Sequence, residues 1–296
     1  MTLRHLKIFI TVADCGSMTN AAQQLFIAQP TVSQAIAELE AYYGVKLFDR
    51  LAKRLYITET GNHLLSYARH ITALFAEMEQ AMKSDDSGGI LKIGASLTIG
   101  SSILPRLVCE FNNEYPTLKI QAVVKNTTVI ESLISKNAID FGVVEGVIHT
   151  SNIVSTPFMA DELALVCGKD HPFFETKSIA PCELSKLNFI VREQGSGTRE
   201  LFANIMAAND LEWEYTWECN SSDCLKSAAI SGVGVAVISK RLVENEVKAG
   251  TLHQIIVDGL DYQRKFSIVY HKNKFITETM KAFFELCFSF AMGYGK

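Results

Sequence analysis

Apolar positions in the first sixty residues recur at helical spacing, stop, and restart. Leu3, Leu6, Ile10 and Ala13 step by three, four and three, one face of a helix from about Leu3 to Asp14. Gly16 can end that helix with a left-handed cap. Ser17 or Thr19 can cap a second helix reaching about Leu25, and its Ala21 and Ala22 are small enough for another helix to cross closely. The segment Phe26-Ile27-Ala28-Gln29-Pro30 then interrupts the pattern. A third stripe follows at Val32, Ile36, Leu39 and Tyr43. Pro30 suits its first turn, where a missing N–H costs nothing. Thr31, Gln34 and Glu38 fall on the opposite face, with Ser33 on the flank. Two helices joined by a tight turn on a supporting first helix predict a helix-turn-helix, whose second helix can lie in a DNA major groove.

Val45 to Arg50 and Arg54 to Thr58 read as two short extended runs around a basic turn, a wing. From Glu59 to about Lys83 there is no Pro and a single Gly, Gly61. Leu64, Ala68, Ile71, Phe75, Met78 and Met82 step by four, three, four, three and four, a heptad seam. Such a helix spans roughly 35–40 Å at about 1.5 Å per residue. Its seam has little to bury itself against except a partner, so it predicts dimerisation through these six residues. A two-fold dimer would set two recognition helices at a fixed spacing. Ser84-Asp85-Asp86-Ser87-Gly88-Gly89 is polar, without apolar periodicity, and reads as a linker.

Beyond it, strand-like and helix-like stretches alternate. Strands are expected at Ile90 to Ala95, Leu118 to Val124, Phe141 to Val144, Leu163 to Val166, Leu187 to Val191, Val233 to Ile238 and Lys265 to Tyr270. Helices are expected at Ile99 to Phe111, Val129 to Ser135, from Arg199, at Cys224 to Ile230 and at Thr277 to Phe290. This predicts α/β layers with mostly parallel strands. Ligands in such sheets bind beyond the carboxyl ends of the strands. Three strand-to-helix junctions fit: Ser96, Leu97 and Thr98; Thr127 and Thr128 after Asn126; and Gly195, Ser196, Gly197 and Thr198. Glycines let backbone N–H groups approach a ligand, and helix N-termini favour negative charge, so a small anion is expected. The competing reading is that these hydroxyls cap their own helices. Arg199 has two readings, ligand counter-charge or a salt bridge inside its own helix. Glu145, past another strand end, would read a cationic or hydroxyl group, which argues against a simple anion.

Composition sharpens this picture. The 296 residues, 48% of them hydrophobic, carry a formal net charge of −4. That average hides an asymmetry, because residues 1–58 hold six Lys/Arg against four Asp/Glu. Four of the six, Lys46, Arg50, Lys53 and Arg54, sit in the wing. A basic module on an acidic body suggests DNA contact. Gln29, Pro30, Thr31, Ser33, Gln34, Arg50, Lys53 and Arg54 are the candidate contacts. Gln can pair bidentately with adenine, Ser and Thr can bond bases or phosphates, and the wing cations hold phosphates. Arg50 or Lys53 has a further reading as a minor-groove contact, and Arg50 another as an internal ion pair with a carboxylate of the module.

The seven cysteines are scattered, without a CxxC pair, and read as reduced thiols of a cytoplasmic protein, with redox control as the sharper alternative. No apolar run is long enough to cross a bilayer. The basic residues before Ile8 superficially suggest a lipoprotein signal, but the apolar stretch is too short and Asp14 is out of place. There is no GxSxG elbow, dinucleotide fingerprint, phosphate loop or HExxH spacing, so neither an enzyme nor a cofactor is expected. An enzymatic or solute-binding domain fused to a DNA-binding head is the rival class.

The pattern AAxxLFIAQPTVSQAIAELExxxGxxLFxR, followed by RLYITETG, resembles the winged helix-turn-helix of LysR-type transcriptional regulators. The likeness runs over about residues 3–83 without a gap. Ile57 stands where that family usually has Leu, and Gln34 where many members carry Arg, which bears on base preference rather than fold. The resemblance implies a DNA-binding head at 1–58, a dimerisation helix and linker at 59–89, and an effector domain at 90–296. That domain would resemble a type 2 periplasmic binding protein, with subdomain I at about 90–161 and 267–296 and subdomain II at about 162–266. Crossover strands are expected near Phe158 to Ala164 and Lys265 to Tyr270. The resemblance also implies dimers or tetramers on promoter DNA, a small-molecule effector between the subdomains, and contact with RNA polymerase where the protein activates.

Overall fold

A computed structural model describes residues 1–51, 54–83 and 89–294, without the side chains of 77, 80–83 and 294. The chain divides into two compact units with a boundary near residue 87. The first contains α1 (Leu3–Cys15), α2 (Met18–Gln24), α3 (Gln29–Tyr43), β1 (Phe48–Leu51), β2 (Arg54–Ile57) and α4 (Glu59–Lys83). Gly16 and Gly44 take the left-handed conformation that ends α1 and α3. The Ser17 hydroxyl accepts from the Asn20 amide and caps α2. Phe9, Val12, Ala21, Val32, Leu39 and Leu47 fill the core. Tyr43 does not join the stripe predicted for α3. It lies in the last turn, exposed, with its hydroxyl on the Met1 sulfur.

The wing is an antiparallel ribbon pairing Phe48 with Ile57 and Leu51 with Arg54. Glu40 ties it to α3, accepting from the Leu47 and Phe48 amides and from Lys46 Nζ. The Thr58 hydroxyl joins ribbon and helix, donating to the Lys46 carbonyl and accepting from the Gly61 amide. Only glycine fits at 61, because a Cβ there would lie 2.3 Å from the Leu47 carbonyl oxygen.

The second unit runs β3 (Ile90–Ala95), α5 (Leu97–Ser102), α6 (Leu104–Glu114), β4 (Lys119–Val124), α7 (Thr127–Ser135), β5 (Phe141–Glu145) and β6 (Ile153–Cys167). It continues through β7 (Asn188–Arg192), α8 (Gly197–Ala208), β8 (Glu214–Cys219), α9 (Ser222–Ile230), β9 (Val235–Ser239), α10 (Glu244–Lys248), β10 (His253–Ile255), β11 (Gln263–His271) and α11 (Glu278–Tyr294). The sheet order is β4-β3-β5-β11-β6-β9-β7-β8, with β10 beside β6. Two parallel triplets, β4-β3-β5 and β9-β7-β8, make two lobes. Between them β6 and β11 run antiparallel to each other and carry the chain from lobe to lobe. Phe111, Phe141 and Phe283 pack one lobe, and Phe189, Phe202 and Met206 the other.

Several elements depart from the sequence expectation, among them β8, α10 and β10, which it does not contain. The helix expected over Ile99 to Phe111 is broken into α5 and α6, because Pro105 can occupy only the first turn of a helix and forces a new start. The first crossover strand is 15 residues long, well beyond the expected segment. Among the described residues no helix is long and apolar enough to cross a membrane.

Candidate functional sites: the head surface and the interlobe cleft

On the head, α3 turns one face outward. Gln29, Pro30 and Gln34 are exposed, and Thr31 and Ser33 half-buried beside them. Gln29 donates to the Ser33 hydroxyl at 2.7 Å, which donates to the Met18 sulfur. Gln34 donates to Glu38 at 2.9 Å, and the other carboxylate oxygen of Glu38 meets His5 Nε2 at 2.8 Å. Those bonds to His5 and Gln34 hold the Glu38 carboxyl below its ordinary range. The Gln34 bond uses one of its two amide N–H groups and leaves the other and the amide oxygen for a base. Arg50 and Arg54 are exposed on the wing, and Arg50 reaches the Met18 sulfur rather than a carboxylate of the module. Lys53 lies outside the described residues.

The seam of α4 divides in two. Ala68 is fully buried in the head's own core, with Leu64 packed against it. Ile71 and Met78 are exposed and Phe75 half-buried. The side chain of Met82 is outside the described residues. The exposed stripe runs instead through Tyr67, Ile71, Leu74 and Met78, which are 42–50% exposed and step by four, three and four. The helical period was legible, but the face α1 covers was not.

The cleft between the two lobes draws together most of the predicted effector residues. Ser96, Thr98, Thr127, Glu145, Ser196, Gly197 and Thr198 are all buried there. Leu97 is half-buried, and Thr128 and Gly195 lie exposed at the rim. The Glu145 carboxylate stands at the centre, 1% exposed. It accepts from the Ser96 hydroxyl and, at 3.1 Å, from the Thr98 hydroxyl. The Thr127 hydroxyl donates to the Glu145 carbonyl at 2.8 Å.

Ser96 and Ser196 occupy N-cap positions, yet neither side chain caps its helix. Ser96 turns to Glu145, and Ser196 Oγ is buried without a hydrogen-bond partner among the described residues. The capping explanation therefore fails for both. A buried hydroxyl left unpaired is costly, and is found where another group completes it.

Sequence reasoning missed the cations that complete this cluster. Arg264, on β11, donates through Nε to Asp161 at 2.7 Å and through its two terminal nitrogens to Thr198 at 2.9 Å and Thr98 at 3.3 Å. It thus bonds hydroxyls from both lobes. Asp161 also accepts from Ser239 and pairs with Arg241. Arg192 is buried and forms a two-pronged pair with Glu193. Burial pushes the Glu145 carboxyl up, against the opposing pull of Arg264 and Arg192. For Glu193 burial also acts upward, but the bonds from Arg192 outweigh it and the carboxyl lies below its ordinary range. A signal for Arg264 was present: it alternates with Phe266 and Ile268 on the buried face of β11, an arginine where the period demands an apolar residue.

The lobes meet across the rim. The Thr128 amide donates to the Gly195 carbonyl at 3.2 Å, and the Asn126 side chain to the Gln194 carbonyl at 3.3 Å. His149 Nε2 meets Glu200 at 2.6 Å. Gly197 packs directly on the Glu145 backbone: a Cβ there would lie 2.2 Å from its carbonyl oxygen. Arg199 pairs not within its own helix but with Glu218 across on β8. It bonds Glu218 and the Arg192 carbonyl and lies 4.8 Å over the Tyr215 ring. The seven cysteines are free thiols. Burial raises Cys167 and Cys219 to about 11 and Cys287 to about 12, which works against ready thiolate chemistry at all three.

Two family models match. "Bacterial regulatory helix-turn-helix protein, lysR family" covers residues 3–62, and "LysR substrate binding domain" covers 84–290. The chain is 32% identical over 287 residues to the "Uncharacterized HTH-type transcriptional regulator YeiE" of Escherichia coli, spanning 97% of each chain. Among solved structures, a full-length OxyR variant from Pseudomonas aeruginosa is similar at a TM-score of 0.66 and 19% identity, over 98% of this chain and 94% of that one. The regulatory domain of CcmR from Synechocystis, in complex with 2-PG, is similar at 0.64 and 24%, over 69% of this chain and 97% of that one. The winged head, the two-lobed body and these matches together make the chain a DNA-binding transcriptional regulator, not an enzyme, and it belongs to the LysR family.

Proposed function

We propose that this regulator is a one-component cytoplasmic switch whose promoter binding responds to a small molecule held between the lobes. The observation that carries the reading is the buried polar ring of Ser96, Thr98, Thr198 and Arg264, completed by the unpaired Ser196 hydroxyl. These groups are donors, which suits a small carboxylate, oxyanion or phosphorylated metabolite. The CcmR neighbour, solved with 2-PG, supports a ligand in a domain of this fold.

Glu145 qualifies the chemistry. Its carboxylate already takes the Ser96 and Thr98 hydroxyls, so an anion can share the cleft only if Glu145 binds a proton or gives up those bonds. A ligand carrying both an acid group and a hydroxyl or ammonium meets the ring and the carboxylate at once, and is the second reading. The exposed stripe on α4 supports dimers, or tetramers built from them, on a roughly palindromic site. RNA polymerase is a further partner if the protein activates.

The test is the melting temperature of the full-length protein against a panel of small anions, hydroxy acids and amino acids. A hit lost in both Thr98→Val and Ser196→Ala, with DNA affinity retained, supports the reading. Normal ligand response in both variants removes those residues from the site.

A further inference from the structure

Phe26 is a feature of the head surface that neither its core nor its charge accounts for. α2 ends in a paired-hydrogen-bond cap: the Phe26 amide donates to the Gln23 carbonyl at 3.2 Å and the Ile27 amide to the Ala22 carbonyl at 3.1 Å. Phe26 holds the left-handed position of that cap, at φ 54°. Glycine is the usual occupant there and asparagine the next, because a Cβ is strained in this conformation. The adjacent Ile27 turns into the head core, but the Phe26 ring is 94% exposed. An aromatic side chain therefore occupies a position that disfavours it and gains almost no burial in return. It stands three residues before Gln29, where the groove-facing helix α3 begins.

We infer that Phe26 is a base-reading residue, packing on a thymine C5-methyl at the edge of each half-site. The partner follows from chemistry. Phe has no hydrogen-bonding group, and the thymine methyl is the one apolar group that base edges present in the major groove. The inference rests on α3 being the groove-facing helix, which Gln34→Ala tests separately on the same duplexes.

The experiment uses full-length protein and a duplex it selects from a random-sequence library. Phe26→Asn keeps a residue tolerant of the left-handed conformation, so its melting temperature stays level or rises. Its affinity for the selected duplex falls about fourfold per head, the worth of roughly one buried methyl group. Its dependence on salt concentration stays unchanged, because no cation is lost. Replacing one thymine per half-site by deoxyuridine, which removes only the methyl, weakens the unmodified protein to the same degree and leaves Phe26→Asn unaffected. Phe26→Leu keeps part of the discrimination. Equal losses on thymine, deoxyuridine and random duplexes would mean a sugar or backbone contact and overturn the inference. So would unchanged DNA affinity, whether or not the variant alters the oligomeric state.

Discussion

Replacing Arg264 with methionine tests whether the cleft is organised around one buried guanidinium. Methionine keeps an unbranched apolar stem and removes the charge. Three bonds go: Nε to Asp161 at 2.7 Å, and the terminal nitrogens to Thr198 at 2.9 Å and Thr98 at 3.3 Å. The Asp161 side chain has no exposed surface, so it cannot recover its partner from water. Breaking a buried pair by removing one member costs about 3–5 kcal/mol. Asp161 keeps Ser239 at 2.9 Å and Arg241 at 3.2 Å, which puts the expected cost at the lower end, near ~3 kcal/mol.

For a unit of this size ~1 kcal/mol moves the melting temperature by about 2–4 °C, so a fall of about 6–12 °C is expected. The assay can be confined to the right unit. The protein has two tryptophans, Trp213 and Trp217, both in the lobe that contains β7, β8 and β9. Trp213 packs edge-on against Phe202 in that lobe's core. Tryptophan fluorescence therefore follows the effector unit without the head. Arg264→Lys keeps the charge but not the planar fork and recovers only part of the loss. A fall below about 2 °C in Arg264→Met would show that the guanidinium does not hold the lobes, and the argument for a cation-centred cleft would fail.

Three further outcomes are expected. Burial raises the Glu145 carboxyl in the folded state, so the unfolded chain loses that proton first and wild-type stability declines as pH climbs from the ordinary carboxylate range toward the raised value. Glu145→Gln removes this loss, and its melting temperature relative to wild type should be higher at pH 8 than at pH 5; an equal offset at both would refute the burial argument. Gln34→Ala should weaken selected duplexes more than random ones, whereas Lys53→Ala should weaken both alike and lower the salt slope by about one; equal losses on both duplexes for Gln34→Ala would remove it from base reading. Ile71→Glu should shift sedimentation toward monomer while leaving the head folded, because Ile71 is exposed where Ala68 is not; an unchanged oligomer would put the interface elsewhere.

What the sequence disclosed depended on whether one segment carried the information. The core face of α3 was readable because Val32, Ile36 and Leu39 are set by the period alone. Tyr43 was misread because the stripe does not say where the neighbouring helix stops. The same limit split the α4 seam: its period is local, but which residues α1 covers is a tertiary fact. Ser96, Thr98 and Ser196 could be placed at strand-to-helix junctions, yet their hydroxyls could have been caps. The fold bonds Ser96 to Glu145 and leaves Ser196 without a partner among the described residues. Arg264 and Asp161 are separated by 103 residues, and no local pattern could pair them. β8 was missed for another reason: Tyr215, Trp217 and Cys219 alternate with Glu214, Thr216 and Glu218, a period-two signal, but the segment is an exposed edge strand without the long apolar run of the buried strands beside it.

The position of Glu145 constrains any switch built on this cleft. A ligand moves an equilibrium between two arrangements only by the difference in its affinity for them. In this structure the cleft already holds a carboxylate, bonded by Ser96 and Thr98 and facing Arg264. That internal acid satisfies donors which would otherwise be left unpaired, and so favours this arrangement without ligand. A proposed anionic effector must therefore gain more than Glu145 loses. Two terms can supply the difference. One is the Ser196 hydroxyl, which Glu145 does not satisfy. The other is a proton, because the buried acid takes one up more readily than an exposed carboxylate and then donates to the incoming anion instead of repelling it. Proton uptake makes affinity for an anion fall by up to tenfold per pH unit above the Glu145 pKa. A ligand that supplies its own donor to Glu145 shows no such dependence. The pH profile of effector affinity thus separates the two chemistries before the effector itself is identified, and Glu145→Gln should abolish the dependence in the first case and cost affinity in the second.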